Sequence, residues 1–406
     1  MTKIKTIKRR IPRFCVCPAC GVKQRLHKDR TYFKTVKDMD LDEEKILRVF
    51  MVVAKCTNPE CKQYSFTLPV EGIEKYQRST KRIRSEAIAS VVADNSTLPR
   101  TSARLRRSFN VTGSKSTIQR WIEKEADKYQ FKDIVPKLGF SGILCLDEYW
   151  PRRSKTCDLI SSDRISYRIL YIENIPHHYY EYAERHLRQL KDFGINPYAI
   201  IFDMWQPYPH TAEKVFPDAL IQYDYFHVIK RVLFHLRRCL GAYMQDLKEH
   251  NKKDLYKILL YNRFNIIKNA EDRTEKQNSW INYINTRFKN TIVPEILIFK
   301  ERVRDIFINS KSKSDAIDKR NKLIEENWPK KDKHFGYVMR YLANEYHFNY
   351  MTTYLEHPNV PRAGNSETVV SIWRQMEAAR YGFKSNKGRQ DHLKLYQLTK
   401  YLNLEI

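Results

Sequence analysis

The pattern of apolar and polar residues divides the chain into stretches with different predicted secondary structure. Two short apolar runs, at residues 142–146 and 198–202, hold four or five consecutive apolar side chains, and each is followed directly by an aspartate. Runs of this length with β-branched members are typical of strands buried on both faces of a sheet. We predict that both runs are strands of one sheet.

Further strands and helices are predicted around these two runs. Residues 164–172 and 219–223 have strand character, and residues 181–193 have the spacing of an amphipathic helix. This alternation predicts an α/β core. A helix opens after Asp224, and the chain from about 235 to 355 has helical periodicity with little glycine. We predict that this long segment is a helical insertion.

Short helices are also predicted between residues 80 and 130. The last of them places Ile118, Trp121 and Ile122 on one apolar stripe, with Ser114 as its N-cap. The outer face is left with Lys115, Ser116, Gln119 and Arg120. This arrangement predicts a helix-turn-helix whose second helix enters the major groove of DNA, the alternative being an ordinary helical hairpin.

Four cysteines near the N-terminus form two close pairs. Cys17 and Cys20 make the first pair, and Cys56 and Cys61 make the second. Two such pairs suit a tetrahedral zinc site, and four thiolates would make that site structural because no coordination position stays open. The alternative is a set of reduced, buried cysteines. Cys15 is either a bystander or a substitute ligand.

The amino-acid composition indicates what kind of molecule the protein binds. The 406 residues include 74 Lys and Arg but 47 Asp and Glu, so the formal charge is +27. A basic excess spread along most of the chain indicates a polyanion such as DNA. No apolar run approaches the ~20 residues that span a bilayer, and no signal core follows the basic N-terminus. We therefore expect a cytoplasmic, nucleoid-associated protein.

Carboxylates at strand ends are the candidate catalytic groups. Asp147 and Asp203 follow the two apolar runs, where open α/β sheets build their sites, and Glu367 begins a late helix. Three carboxylates on neighbouring elements suit two Mg²⁺ or Mn²⁺ ions, the arrangement that phosphodiester cleavage or joining requires. Asp224 is a competitor or helper, with His227 on the same helix face.

The late helix is predicted to begin at Asn365 or Ser366 and to end at Gly382. Its apolar stripe is Val369, Val370, Trp373 and Met376. Glu148 is not included in the site because strand alternation points it away from the side of Asp147.

The order of these motifs resembles the ISL3 family of insertion-sequence transposases over essentially the whole chain. The matching stretches are the cysteine pairs, the helix-turn-helix, Leu146-Asp147-Glu148, Phe202-Asp203-Met204, Asp224-Tyr225-Phe226-His227, Asn365-Ser366-Glu367 and Arg380-Tyr381-Gly382-Phe383. In that family the acids at the positions of Asp147, Asp203 and Glu367 form the catalytic triad. The chain departs from the family pattern at Thr368 and Val369, where Gly and Asn are usual.

The resemblance implies a ribonuclease-H-like core that is interrupted by the helical insertion. The predicted domains are a zinc-binding module (1–75), a helix-turn-helix domain (76–135), the first part of the core (136–235), the insertion (236–357) and the last part of the core (358–406). We predict a DDE transposase that binds the terminal inverted repeats of its element and cuts and transfers DNA strands, as a homodimer in a synaptic complex. The alternatives are a non-catalytic DNA-binding regulator derived from a transposase and a structure-specific nuclease on the same fold.

Overall fold

A computed structural model of the chain describes residues 2–39, 44–73, 77–111, 113–151, 155–177, 179–378, 382–383 and 385–404. These residues form two compact units. The first unit comprises residues 1–138 and 372–406, and the second comprises residues 139–371. The finer domain boundaries drawn from the sequence stay predictions.

The first unit opens with β-structure. Its strands are β1 (Thr2–Ile7), β2 (Phe14–Val16), β3 (Lys23–Arg25), β4 (His27–Met39), β5 (Glu44–Lys55) and β6 (Ser65–Thr67). β5 is the centre of a four-stranded sheet, parallel to β1 and antiparallel to β4 and β6, while β2 and β3 form a separate hairpin. β5 holds the apolar run at residues 47–54 and ends directly before Cys56.

Helices follow this sheet, as the periodicity predicted. They are α1 (Lys81–Val92), α2 (Leu98–Phe109), α3 (Lys115–Ala126) and the single-turn α4 (Phe131–Ile134), which continues as a 3₁₀ turn over Val135–Leu138. The predicted stripe of Ile118, Trp121 and Ile122 is buried. The Ser114 hydroxyl accepts a hydrogen bond from the Thr117 N–H at 3.1 Å, so the predicted N-cap is confirmed.

The second unit is built on a five-stranded mixed sheet. Its strands are β7 (Ile143–Tyr149), β8 (Cys157–Asp163), β9 (Ile169–Ile175), β10 (Ala199–Phe202) and β11 (Leu220–Tyr223), in the order β11-β10-β7-β8-β9. β7, β10 and β11 are parallel, and β8 is antiparallel to both its neighbours. Parallel neighbours need crossover connections, which here contain α5 (Tyr180–Asp192) and α6 (Pro207–Val215).

One strand assignment from the sequence was wrong. Residues 164–168 are a turn in which Tyr167 has a φ of 59°, and β9 begins only at Ile169. The strand before that turn, β8, was not predicted because Ser161, Ser162 and Asp163 interrupt its apolar character.

The segment predicted as an insertion is helical. It begins within α7 (Tyr225–Glu249) and contains α8 (Lys253–Ile267), α9 (Glu275–Arg287), α10 (Ile292–Ile308), α11 (Lys313–Glu325), a 3₁₀ turn (Trp328–Lys330), α12 (Lys333–Ala343) and α13 (Glu345–Glu356). Within the described part of the chain, no helix combines the length and the apolar character needed to cross a membrane.

Two late helices complete the chain. They are α14 (Ser366–Ala378) and α15 (Asn386–Tyr396), followed by a π-helical turn over Gln397–Tyr401. The start predicted at Asn365 or Ser366 is confirmed, and Val369, Val370, Trp373 and Met376 are buried. Arg380 and Tyr381, over which the helix was predicted to continue, lie outside the described residues.

Candidate active site and metal centres

Three aspartates lie in register at the carboxyl edge of the second unit's sheet. Ile201 of β10 is paired with Cys145 of β7, and Phe202 is paired with Tyr223 of β11. Continuing these registers places Asp203 opposite both Asp147 and Asp224. Neighbouring strands are ~4.8 Å apart, so the three carboxylates form a row across adjacent strands. We call Asp147, Asp203 and Asp224 the acid row.

Backbone groups hold each of these carboxylates in place. The Oδ1 atom of Asp147 accepts a hydrogen bond from its neighbour's N–H at 2.8 Å. Asp203 accepts one from the Trp205 N–H at 2.9 Å, and Asp224 accepts one from the Phe226 N–H at 2.9 Å as the N-cap of α7. Each aspartate uses one oxygen in these contacts, which leaves its second oxygen for other partners.

His227 lies against the acid row from the first turn of α7. Its Nε2 atom is 3.6 Å from Oδ2 of Asp147. Burial by itself would lower the pKa of His227, but the hydrogen bond and charge of Asp147, together with Asp224 and Asp203, raise it above the usual value. His227 therefore keeps its proton to a higher pH than an isolated histidine does.

Crowding and burial work against ionisation of the row. Burial raises the pKa of Asp203, and the charge of Asp147 adds to that rise. Burial likewise raises the pKa of Asp224, again with Asp147 contributing. Three carboxylates this close repel one another, and one imidazolium does not neutralise them. The row therefore has the donor chemistry and the unbalanced charge of a site for hard divalent cations.

Glu148 belongs to the same surroundings, although the sequence analysis left it out. Burial, and next the charge of Asp203, raises the pKa of Glu148 well above the usual carboxyl range. The buried hydroxyl of Tyr208 on α6 donates a hydrogen bond to its carboxylate. Alternation along β7 does point Glu148 away from Asp147, but α6 closes that side. The signal in the sequence was the Asp147-Glu148 pair at the end of an apolar run.

Glu367 approaches from the far end of the chain. It is exposed on the first turn of α14. The residue two before it, Asn365, is buried and fixed to the end of β8: its amide donates to the Asp163 carbonyl at 2.7 Å, and its oxygen accepts from the Ser162 hydroxyl at 3.0 Å. This anchor determines where α14 begins.

Gly364 places the same segment beside the acid row. A Cβ atom at this position would be 3.0 Å from Oδ2 of Asp224 and 3.4 Å from the sulfur of Cys145. Cys145 precedes Asp147 by two residues, so the two side chains share one face of β7. The loop that leads into Glu367 therefore crosses the face of the sheet on which Asp147 lies.

The acid row and the cysteines differ in how closely their ligand atoms are gathered. Among the described residues, one group of three or more His, Cys, Asp or Glu side chains has all its ligand atoms within 4.8 Å of one another, and that group is Cys17, Cys20, Cys56 and Cys61. The three acids predicted from the sequence do not form such a group.

The cysteine cluster has the dimensions of a tetrahedral zinc site. The sulfur atoms of Cys17 and Cys61 are 3.8 Å apart, and those of Cys20 and Cys56 are 3.7 Å apart. Zinc–sulfur bonds of ~2.3 Å in a tetrahedron require sulfur–sulfur separations of about 3.8 Å. The cluster can therefore hold a metal ion of this kind without rearrangement.

Local backbone groups prepare the first pair for metal binding. Burial alone would raise the pKa of Cys17, but hydrogen bonds from the backbone around Cys20 and Ala19 lower it to about 7. Burial and the neighbouring thiols raise the pKa of Cys56 to about 12 despite a backbone hydrogen bond at Asn58. Cys15 is buried in β2 and is not a member of the cluster, so it is a bystander in this geometry.

The outer face of α3 presents the residues predicted to contact DNA. Lys115, Ser116 and Arg120 are exposed, and Gln119 is half-buried. α2 and the start of α3 border an open cleft of about 620 Å³ whose lining includes Arg106, Arg107 and Lys115. No acid is among the described residues that line this cleft, so it is a cationic surface.

Comparison with known sequences gives the family. Residues 144–388, more than half of the chain, match the family model of the ISL3 DDE transposases, described as a transposase. The chain belongs to this transposase family. Comparison with curated proteins returned no match.

The region that matches the family model contains the acid row. It begins three residues before Asp147 and extends past Glu367 to residue 388, so it includes the acid row, the insertion and the start of α14. It does not include the cysteine cluster or α3. Membership of a transposase family implies DNA as the partner, and DDE transposases generally use divalent metals.

Proposed function

We propose that this transposase binds the terminal inverted repeats of its element and catalyses DNA strand cleavage and strand transfer at Asp147, Asp203 and Glu367. The observation that carries the proposal is the row of strand-end aspartates on three adjacent strands, of which Asp147 and Asp224 are buried, together with the return of the Gly364 loop to the same face of the sheet. The mixed sheet with its acidic carboxyl edge supports the ribonuclease-H-like core that the family resemblance implies.

The donor set suits divalent cations. Asp147 and Asp203 would hold Mg²⁺ or Mn²⁺ ions with Glu367, and Asp224 is placed to assist. The chemistry that such ions supply when bound is activation of the attacking oxygen and stabilisation of the leaving oxygen.

The other residues of the site orient or position the acidic side chains. His227 contacts Oδ2 of Asp147 and orients that carboxylate. Tyr208 holds Glu148, which keeps the side of β7 facing α6 closed. Asn365 and Gly364 fix the position at which α14 begins, and therefore the position of Glu367 on its first turn.

The first unit would select the DNA. We propose that α3 enters the major groove with Lys115, Ser116, Gln119 and Arg120, and that Arg106 and Arg107 contact the adjoining phosphates. A structural Zn²⁺ on the four cysteines would join the turn that follows β2 to the turn that follows β5, two strands of separate sheets. Bringing two element ends together implies a homodimer on DNA.

A strand-transfer assay with the element's own ends and Mg²⁺ tests the proposal. We expect Asp203→Asn to bind the ends like the wild type but to lose at least about 100-fold in cleavage and joining, because a buried charge at the reacting centre is removed. Asp218→Asn is the matched control, since Asp218 is an exposed acid of the same unit just before β11.

Two results would contradict the proposal. If Asp203→Asn, or Glu367→Gln in the same assay, keeps wild-type activity, the assignment of that acid is wrong. If the wild type binds the ends and never cuts them, the protein is a non-catalytic regulator derived from a transposase.

A further inference from the structure

Helices α8 and α9 of the insertion carry large aromatic side chains on their solvent side. Tyr261 is 77% exposed, Phe264 69%, Tyr283 47% and Trp280 41%. Exposing this much apolar surface to water costs free energy. Because the four side chains lie on two consecutive helices, they indicate a binding surface rather than scattered surface residues.

The cores of both helices are formed by other residues. Leu259, Ile266 and Ile267 are the buried apolar side chains of α8, and Ile281 and Ile284 are those of α9. The packing of α8 and α9 therefore does not depend on the four exposed aromatic side chains.

Tyr261 and Trp280 line a common cleft of about 590 Å³ between the two helices. We call it the aromatic cleft; its other lining residues include Lys257, Asn262, Lys276 and Gln277. Within the described part of the chain, neither Lys257 nor Lys276 has an ion-pair partner. The cleft therefore combines aromatic faces with two free ammonium groups, which suits an anionic ligand that also carries flat rings.

The amides that line the cleft are already used within the protein. Asn262 donates to the Ile258 carbonyl at 2.9 Å. The oxygen of Gln277 accepts from the Lys268 ammonium group at 3.1 Å and from the Thr274 N–H at 3.0 Å. Asn265, which also lines the cleft, donates to the Asn262 oxygen at 3.0 Å. The aromatic faces and the ammonium groups are the parts of the cleft that suit any nucleotide, because stacking does not depend on the identity of the base.

We propose that the aromatic cleft binds an unpaired nucleotide of a DNA strand, with its base stacked on Trp280 or Tyr261 and its phosphates at Lys257 and Lys276. Base pairing in a duplex hides the faces that stack, whereas every unpaired base offers one. The basic charge of the cleft favours DNA over a second copy of this basic chain. The proposal adds a single-strand site that the cleavage chemistry of the acid row does not require.

Fluorescence anisotropy with the full chain in EDTA tests the proposal. The probes are a labelled thymine oligonucleotide and a duplex of the same length that lacks the element's ends. We expect Trp280→Ala to weaken single-strand binding by about 5- to 100-fold, the range for loss of one stacked base, with little change in duplex binding. Trp280→Phe should retain most of the affinity, because a flat ring remains.

The matched control is Tyr179→Ala. Tyr179 is 60% exposed in the same unit but lies outside the aromatic cleft, so its loss should leave single-strand affinity unchanged.

Salt dependence separates stacking from charge. Lys257→Gln and Lys276→Gln should each reduce the slope of log affinity against log salt by about 0.7, as expected for one phosphate contact on a single strand. Trp280→Ala should lower the affinity and leave the slope unchanged.

Two outcomes would overturn the proposal. One is a folded Trp280→Ala variant, checked by circular dichroism, that binds the thymine oligonucleotide like the wild type. The other is a Trp280→Ala variant whose single-strand affinity equals that of the wild type but whose sedimentation coefficient differs from it. That result would make the cleft an interface between copies of the chain. If Trp280→Ala does not fold, Tyr261→Ala decides, because that side chain is the most exposed of the four. Binding in EDTA needs no cleavage, so this result is independent of the strand-transfer assay.

Discussion

The cysteine cluster and the acid row are both candidate metal centres, yet they are assembled in opposite ways. The four thiols come from two tight turns in one small unit and already have tetrahedral separations. The acids of the row come from the ends of three separate strands, and their ligand atoms are not gathered to the same degree. Glu367, the further predicted catalytic acid, lies on α14, 143 residues after Asp224. The cysteine cluster is thus complete in the fold, whereas the acid row carries charge that the fold leaves unbalanced.

Electrostatics explains the difference. The raised pKa values of Cys56 and Cys61 keep these two thiols neutral before a metal binds, so the cluster carries less charge than a group of carboxylates. Carboxylates at neutral pH are charged, and burial beside one another raises the pKa values of Asp203 and Asp224. The acid row therefore holds electrostatic strain that a bound cation would relieve.

The largest effect is expected from breaking the cysteine centre. Cys56→Ser should lose the bound zinc and lower the Tm of the first unit strongly, because the metal holds two turns on separate strands together. Metal content by mass spectrometry and thermal unfolding are the measurements. Cys15→Ser is the control and should keep its zinc; a Cys56→Ser protein with a full complement of zinc would contradict the assignment.

A smaller effect is expected from the loop that passes beside Asp224 and leads into Glu367. In Gly364→Ala the new methyl group would lie 3.0 Å from the Asp224 carboxylate, so the loop or the carboxylate must move. We expect strand-transfer activity to fall by about tenfold with unchanged DNA binding, as for a small misplacement of a catalytic group. Gly241→Ala is the matched control, since a Cβ atom there meets no neighbour within 4 Å. Equal activity of the two variants would show that the loop does not position the site.

The smallest effect is expected on thermal stability, and it tests the repulsion among the carboxylates of the acid row. The folded-state pKa of Asp203 is raised above its unfolded value, so the folded state loses stability as the pH rises through that interval. In EDTA at pH 7, Asp203→Asn should raise Tm by a few degrees. The difference should disappear as the pH falls toward 4, and Mg²⁺ should stabilise the wild type more than the variant. A lower Tm for the variant at pH 7 would show that the charge is not destabilising.

The sequence pattern predicted those parts of the fold whose cause is local. The apolar runs identified β7 and β10, the periodicity identified α3 with its Ser114 cap, and the paired cysteines identified the cluster. In each case the residues that decide the structure are neighbours along the chain.

β8 could not be predicted in this way. It is fully buried yet contains Ser161, Ser162 and Asp163, whose partners come from distant segments. His186 on α5 bonds Ser161 at 2.5 Å, Asn365 bonds Ser162, and the Ser141 N–H donates to Asp163 at 2.7 Å. Buried polar groups are tolerated when they are paired, and that pairing exists only in the folded chain.

The place of the acids was only partly predictable for the same reason. Strand-end position indicated Asp147 and Asp203, but their alignment with Asp224 follows from strand register. The enclosure of Glu148 follows from α6, which packs beside it and supplies Tyr208.

The cap of α7 has a mechanical consequence. Asp224 is both a member of the acid row and the residue from which a helix of 25 residues starts, a rod about 37 Å long whose far end precedes α8 and the aromatic cleft. A tilt of about 5° at the capped end would displace the far end by roughly 3 Å. A displacement of the Asp224 carboxylate would thus be carried along α7 to the end of the helix that precedes the aromatic cleft.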